Sequence, residues 1–194
     1  MRKVIYILIL STIALMGISI KNYSNKDVET GSLQSSYEDY EDLIIKYGNK
    51  NEKIVALTFD DGPDEDFTPQ ILDILKKYNV KATFYVIGEK VQYNKKIIKR
   101  EYEEGHEIGN HSDTHPHVNN LSLEKNIEEI QNCNNKIEQI TGKKTTLYRG
   151  PYGEYNNTVI NAAKSQNLTT IQWNLDTLDY TRTNRRRNVE KTRK

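Results

Sequence analysis

Cysteine is almost absent from this chain: Cys133 stands alone among 194 residues, so no internal disulfide can form and no cysteine cluster can hold a metal. Tryptophan occurs once, proline four times and histidine four times. There is no excess of one charge sign either. With 28 basic and 27 acidic side chains the formal charge is +1, which gives no overall electrostatic reason to expect nucleic acid as a partner. The small total conceals an uneven distribution. Residues 182–194 carry seven basic side chains against Glu190 alone, a net +6, so the rest of the chain sums to −5. What is present is ordinary for a folded soluble domain: 36% hydrophobic and 28% charged residues exclude collagen-like, coiled-coil and wholly disordered chains. The length suits one core with flanking segments.

The one long uncharged run lies at the start. Arg2 and Lys3 precede Val4 to Ile20, the layout of an export signal or a signal anchor, and residues 1–21 are expected to be one or the other. No clear Ala-x-Ala site precedes Lys21, which favours an uncleaved anchor with a cytoplasmic amino end. Residues 22–52 are rich in Asn, Ser, Lys, Glu and Tyr and read as a polar stalk, with a short helix from Tyr37 to Tyr47. From Lys53 onward short apolar runs alternate with amphipathic ones. Strands are expected at Ile54 to Phe59, Ala82 to Ile87, Glu107 to Asn110, Thr146 to Tyr148 and Thr169 to Leu175. Helices are expected between them: from an N-cap at Thr68 to Tyr78, from Asn94 to Glu104, from Ser122 to Ile140 with Gly142 behind it, and from Asn157 to Gln166. Such alternation implies a parallel sheet or barrel whose chemistry gathers at the carboxyl ends of the strands. Cys133 falls on the face shared by Ile127, Ile130, Ile137 and Ile140 and is expected to be a buried apolar residue.

Two stretches at expected strand ends carry chemistry. Thr58-Phe59-Asp60-Asp61-Gly62-Pro63 places two carboxylates side by side, which repel unless a cation is near. His111-Ser112-Asp113-Thr114-His115 brings two imidazoles to the same rim. Two histidines and an aspartate make a three-point metal site that keeps open positions, as hydrolytic zinc enzymes and non-haem iron enzymes both use. The alternating βα pattern speaks for the hydrolytic type.

With Arg149 to Tyr152 (RGPY) and Asp176 to Tyr180 (DTLDY), the two stretches resemble, in order and spacing, four of the five motifs of the polysaccharide deacetylases, carbohydrate esterase family 4 with its NodB-type homology domain. The resemblance covers residues 53–181. It implies an α/β fold, a distorted (β/α) barrel, and metal-dependent hydrolysis of N-acetyl amides in a polysaccharide of N-acetylhexosamine, whether peptidoglycan, chitin-like or an exopolysaccharide. It also implies that Asp60 is the general base. Asp61, His111 and His115 would ligate a divalent metal, zinc before cobalt; Arg149 would position the base, and the backbone N–H of Tyr152 would donate to the oxyanion. Asp176 and Asp179 correspond to the acidic fourth motif, with Tyr180 where the family usually has tryptophan. Trp173 and Tyr155 are candidates for a sugar groove, although core packing is the preferred role for Trp173. His106 reads as structural and His117 as a surface neighbour.

The family's fifth motif, Leu-x-His, supplies the acid for the departing amine, and no histidine follows His117 here. Five of the chain's eight arginines crowd into 182–194. We therefore expect a barrel incomplete at its C-terminus, with the last strand's edge unpaired, the surroundings of Trp173 partly exposed, 182–194 a disordered basic tail, and catalysis impaired. A shifted or shortened reading frame is preferred over a basic tail that binds anionic wall polymer. The rival function is a non-catalytic glycan-binding module. Either way the domain should face the outside of the cytoplasmic membrane, anchored or secreted.

Overall fold

The computed structural model describes residues 43–178 and 180. The expected signal or anchor, most of the stalk, Asp179 and the basic tail therefore lie outside the described residues. Six parallel strands form one sheet in the order β1-β6-β5-β4-β3-β2. They are β1 (Ile44–Ile45), β2 (Thr58–Gly62), β3 (Thr83–Val86), β4 (Glu107–Asn110), β5 (Leu147–Tyr148) and β6 (Thr169–Ile171). The helices between them are α1 (Phe67–Lys77), α2 (Gly88–Tyr93), α3 (Lys95–Glu103), α4 (Leu123–Thr141) and α5 (Asn157–Ser165). The expected βα alternation is therefore present.

Two differences change the borders of the sheet. The described part of Tyr37 to Tyr47 contains no α-helix; Ile44 and Ile45 pair instead in parallel with Thr170 and Ile171. Ile44 is buried there, and the Ile45 carbonyl accepts the Gln172 N–H at 2.9 Å. The last strand's edge is consequently paired, contrary to expectation, and the sheet takes in residues that read as stalk. At the other edge the strand begins at Thr58 rather than Ile54. Ile54 and Val55 precede the strand, belong to no described element and are 73% and 79% exposed.

Helix termini follow local chemistry. Ser122 caps α4 by accepting the Lys125 N–H, and Gly142 ends it in the left-handed region at φ 70°, as expected from side chains that accept or conformations only glycine adopts without strain. The α1 start differs from its expected cap. Asp64 accepts the N–H groups of Asp66 and Phe67, while the Thr68 hydroxyl accepts the N–H of Asp64, so the threonine sits inside the first turn and returns the bond. Two apolar clusters support the sheet. Leu72, Val86, Ile98, Ile108, Cys133 and Ile137 belong to one, and Val118, Ile130, Tyr148, Val159 and Leu168 to the other. Cys133 is fully buried, and that burial pushes its thiol pKa well up, so it is the inert core residue its pattern implies.

Candidate active site

Adjacent carboxylates at the end of β2 are sent to different partners. Strand periodicity puts Thr58 and Asp60 on one face. There the Arg149 guanidinium donates to the Thr58 hydroxyl at 2.9 Å and to Asp60 Oδ1 at 2.7 Å. The β2–β3 register then shifts between Phe59 and Gly62, and Asp61 takes φ 66°. That kink turns the second carboxylate toward the loop after β4, where Asp61 Oδ1 lies 3.3 Å from His111 Nε2 and 3.0 Å from His115 Nε2. Ser112, His115 and Tyr152 also have positive φ, a conformation that costs side-chain-bearing residues energy and gathers here at one rim.

The three donor atoms of Asp61, His111 and His115 lie within 4.8 Å of one another. Donors sharing one small divalent ion at about 2.1 Å stand roughly 3.4 Å apart, and the 3.3 and 3.0 Å separations from Asp61 to the two histidines are of that size. His111 supplies the chemical test of fit. Its Nδ1 meets the Arg149 carbonyl at 2.6 Å, and since a carbonyl only accepts, Nδ1 carries the proton. In the neutral ring Nε2 is then a lone pair facing a carboxylate oxygen, a contact that closes only on a shared proton or a shared metal ion. With the proton, the His111 hydrogen bond holds the Asp61 carboxyl below the usual range, and partial burial opposes this. Burial lowers the pKa of His115, favouring the neutral ring that a metal requires.

Arg149 is 2% exposed and braced on three sides. Besides Thr58 and Asp60 it donates from Nε to the Ile171 carbonyl at 3.2 Å, and its guanidinium lies 4.0 Å from the Tyr85 ring centroid and 5.5 Å from that of Trp173. Trp173 is 38% exposed and lies against Gly153, where an added Cβ would come within 2.4 Å of the indole. It is a half-open lid on the arginine rather than a core residue. Asp176 uses its carboxylate to accept the Leu178 N–H at 2.8 Å, and the hydrogen bonds of Arg149 go elsewhere. Tyr155 accepts from Lys46 at 3.2 Å. His106 is buried, with Nδ1 accepting the Ala82 N–H at 3.2 Å, the structural role expected of it.

Sequence reasoning missed Thr58, Tyr85 and Lys90, whose ammonium donates to the Asp61 carbonyl at 2.8 Å. Strand alternation could have found Thr58; the other two reach the site from separate elements. The buried loop acid Asp113 pairs with Lys136 at 2.6 Å and is structural.

The polysaccharide deacetylase family model matches residues 47–171. A peptidoglycan-N-acetylglucosamine deacetylase of Bacillus cereus is 41% identical over 133 residues, which are 69% of this chain and 48% of that protein. The peptidoglycan-N-acetylmuramic acid deacetylase PdaC of Bacillus subtilis is 40% identical over 141 residues, 73% of this chain and 30% of the relative. The chain thus spans about half of these curated relatives or less. Among solved structures, BA3943, a CE4 family pseudoenzyme from Bacillus anthracis, superposes with a TM-score of 0.74 at 33% identity, covering 77% of this chain and 53% of that one.

Proposed function

Because the chain belongs to the polysaccharide deacetylase family, we propose that it removes acetyl groups from an N-acetylated hexosamine polymer of the cell wall by hydrolysing the amide. The observation that carries this reading is the separation of neighbouring carboxylates, Asp61 to the two histidines and Asp60 to Arg149. In this proposal Asp61, His111 and His115 hold a zinc ion. When bound, it supplies Lewis acidity toward the acetyl oxygen and toward water. Asp60, fixed by Arg149, takes a proton from the attacking water. The Tyr152 N–H, which has no hydrogen-bond partner among the described residues, donates to the oxygen that gains charge. Asp176 and Asp179 are kept in this reading as the acidic fourth motif of the family, with Asp179 outside the described residues.

The test is acetate release from N-acetylated peptidoglycan or a chito-oligosaccharide by the zinc-loaded 194-residue chain. Asp60→Asn is expected to lower the rate by about 10² to 10⁴-fold, the usual worth of general base catalysis, with metal affinity retained. Absence of metal binding at the triad would overturn the reading. The similarity to a pseudoenzyme favours a second one, a non-catalytic glycan-binding module. Polymer binding that survives both Asp60→Asn and metal removal, without acetate release, would support that alternative.

The same proposal places the domain outside the cytoplasmic membrane, with Arg2 and Lys3 preceding the uncharged run to Ile20. No helix among the described residues is long and apolar enough to cross a membrane. Protease added to intact wall-stripped cells is expected to digest the domain, and its survival would contradict this orientation.

A further inference from the structure

His111 and His115 approach the same Asp61 oxygen, yet their rings are held differently. His111 is buried and its Nδ1 is pinned by the Arg149 carbonyl. His115 is partly exposed, and among the described residues no hydrogen bond reaches its second ring nitrogen. A histidine that ligates a metal ordinarily donates that other N–H to an acceptor, which sets the ring's orientation. His115 needs another restraint.

The rings around it supply one. His115 meets Tyr152 with centroids 4.6 Å apart and planes at 61°. Tyr152 is 58% exposed and would be poorly fixed alone, but its ring stacks on His117 at 4.2 Å and 15°. His117 is in turn fixed by a 2.7 Å contact from Nδ1 to Glu154 Oε1, and Glu154 Oε2 accepts the Asn119 N–H at 3.3 Å. Asn119 belongs to the short helical turn Val118–Asn120, whose first residue is fully buried. The row Glu154, His117, Tyr152, His115 therefore runs from the core-anchored backbone to the metal-site rim.

We infer that His117 is a positioning residue for His115, acting through the Tyr152 ring in place of the missing hydrogen bond. This rests on the reading of His115 as a metal ligand. The test is cobalt(II) titration of the full chain followed by visible absorption, alongside thermal unfolding without metal. His117→Ala is expected to weaken cobalt binding about tenfold and to alter the visible bands, the scale seen when ligand-orienting groups are lost. Tyr152→Leu should do the same. His117→Phe, which keeps a ring against Tyr152 without the Glu154 contact, should recover most of the affinity, and it decides the matter if metal-free His117→Ala proves less stable. Wild-type affinity and bands in His117→Ala, or a His117→Phe chain as weak as His117→Ala, would overturn the inference. Failure of the wild-type chain to bind cobalt would remove the metal-site reading itself, and this inference with it.

Discussion

Arg149→Met is expected to lower the free energy of unfolding by about 3–5 kcal/mol, the usual cost of removing one partner of a buried ion pair. For a chain of this size that is roughly 10 °C in Tm. Methionine can fill much of the space between Tyr85 and Trp173, so loss of volume is not the main effect. The cost arises from what stays behind: the Asp60 carboxylate, the Thr58 hydroxyl and the Ile171 carbonyl all lose their donor at once. Asp60 keeps some contact with water, which draws the expectation toward the lower end of the range. Asp60→Asn should cost less, since its amide oxygen can still accept from the guanidinium. Arg149→Lys should fail to rescue stability, because a point ammonium cannot serve acceptors on two strands as a planar fork does. Urea unfolding followed by fluorescence measures all three, and an Arg149→Met loss under about 1 kcal/mol would show that desolvation cancels what the pairings contribute.

Glu101 should make the fold less stable as pH rises. It lies on the inner face of α3, fully buried beside Ile98, and neither carboxylate oxygen has a hydrogen-bond partner among the described residues. Burial alone pushes its pKa up to about 8 from an ordinary value of 4.5. Below about pH 4.5 the acid is protonated in both folded and unfolded chains and gives stability no pH dependence. Between there and about 8 the unfolded chain releases a proton that the folded chain retains, so stability falls, and above 8 the slope vanishes. At about 1.4 kcal/mol per pKa unit the accumulated loss is roughly 3–5 kcal/mol. Glu101→Gln keeps the shape and removes the ionisation. It should be nearly neutral at pH 4.5 and stabilise by most of that amount at pH 8, measured as the shift in urea midpoint at the two pH values. An equal effect at both would mean that the carboxyl is already satisfied.

The site was more legible in the sequence than the sheet's borders were. Asp60, Asp61, His111 and His115 stand at strand ends because short motifs carry their own backbone requirements, and the kink at Asp61 is local. The caps Ser122 and Gly142 were readable for the same reason. Thr68 misled because the helix starts one residue before it: Asp64 already accepts the amides of Asp66 and Phe67, and the Thr68 hydroxyl turns back to accept the Asp64 N–H. The run from Ile54 to Leu57 has strand composition, but composition cannot say which neighbour will cover it, and here nothing described does. The pairing of Ile44 with Thr170 joins residues far apart in sequence, and a two-residue strand in a polar stretch leaves no periodic trace. The support of His115 was invisible for a different reason. His117 and Tyr152 are ordinary in their own segments and acquire meaning only when the β5–α5 loop folds against the loop after β4.

The two-residue strand β1 has a practical consequence for anyone shortening the protein. A fragment begun at Lys53, where the strand-helix alternation starts, would strip Ile44 and Ile45 from β6. It would free the Gln172 N–H and open the flank of the very strand whose Ile171 carbonyl steadies Arg149. Such a fragment would keep every motif intact and still arrive with the arginine's support loosened. Cloning borders for this domain belong upstream of Leu43.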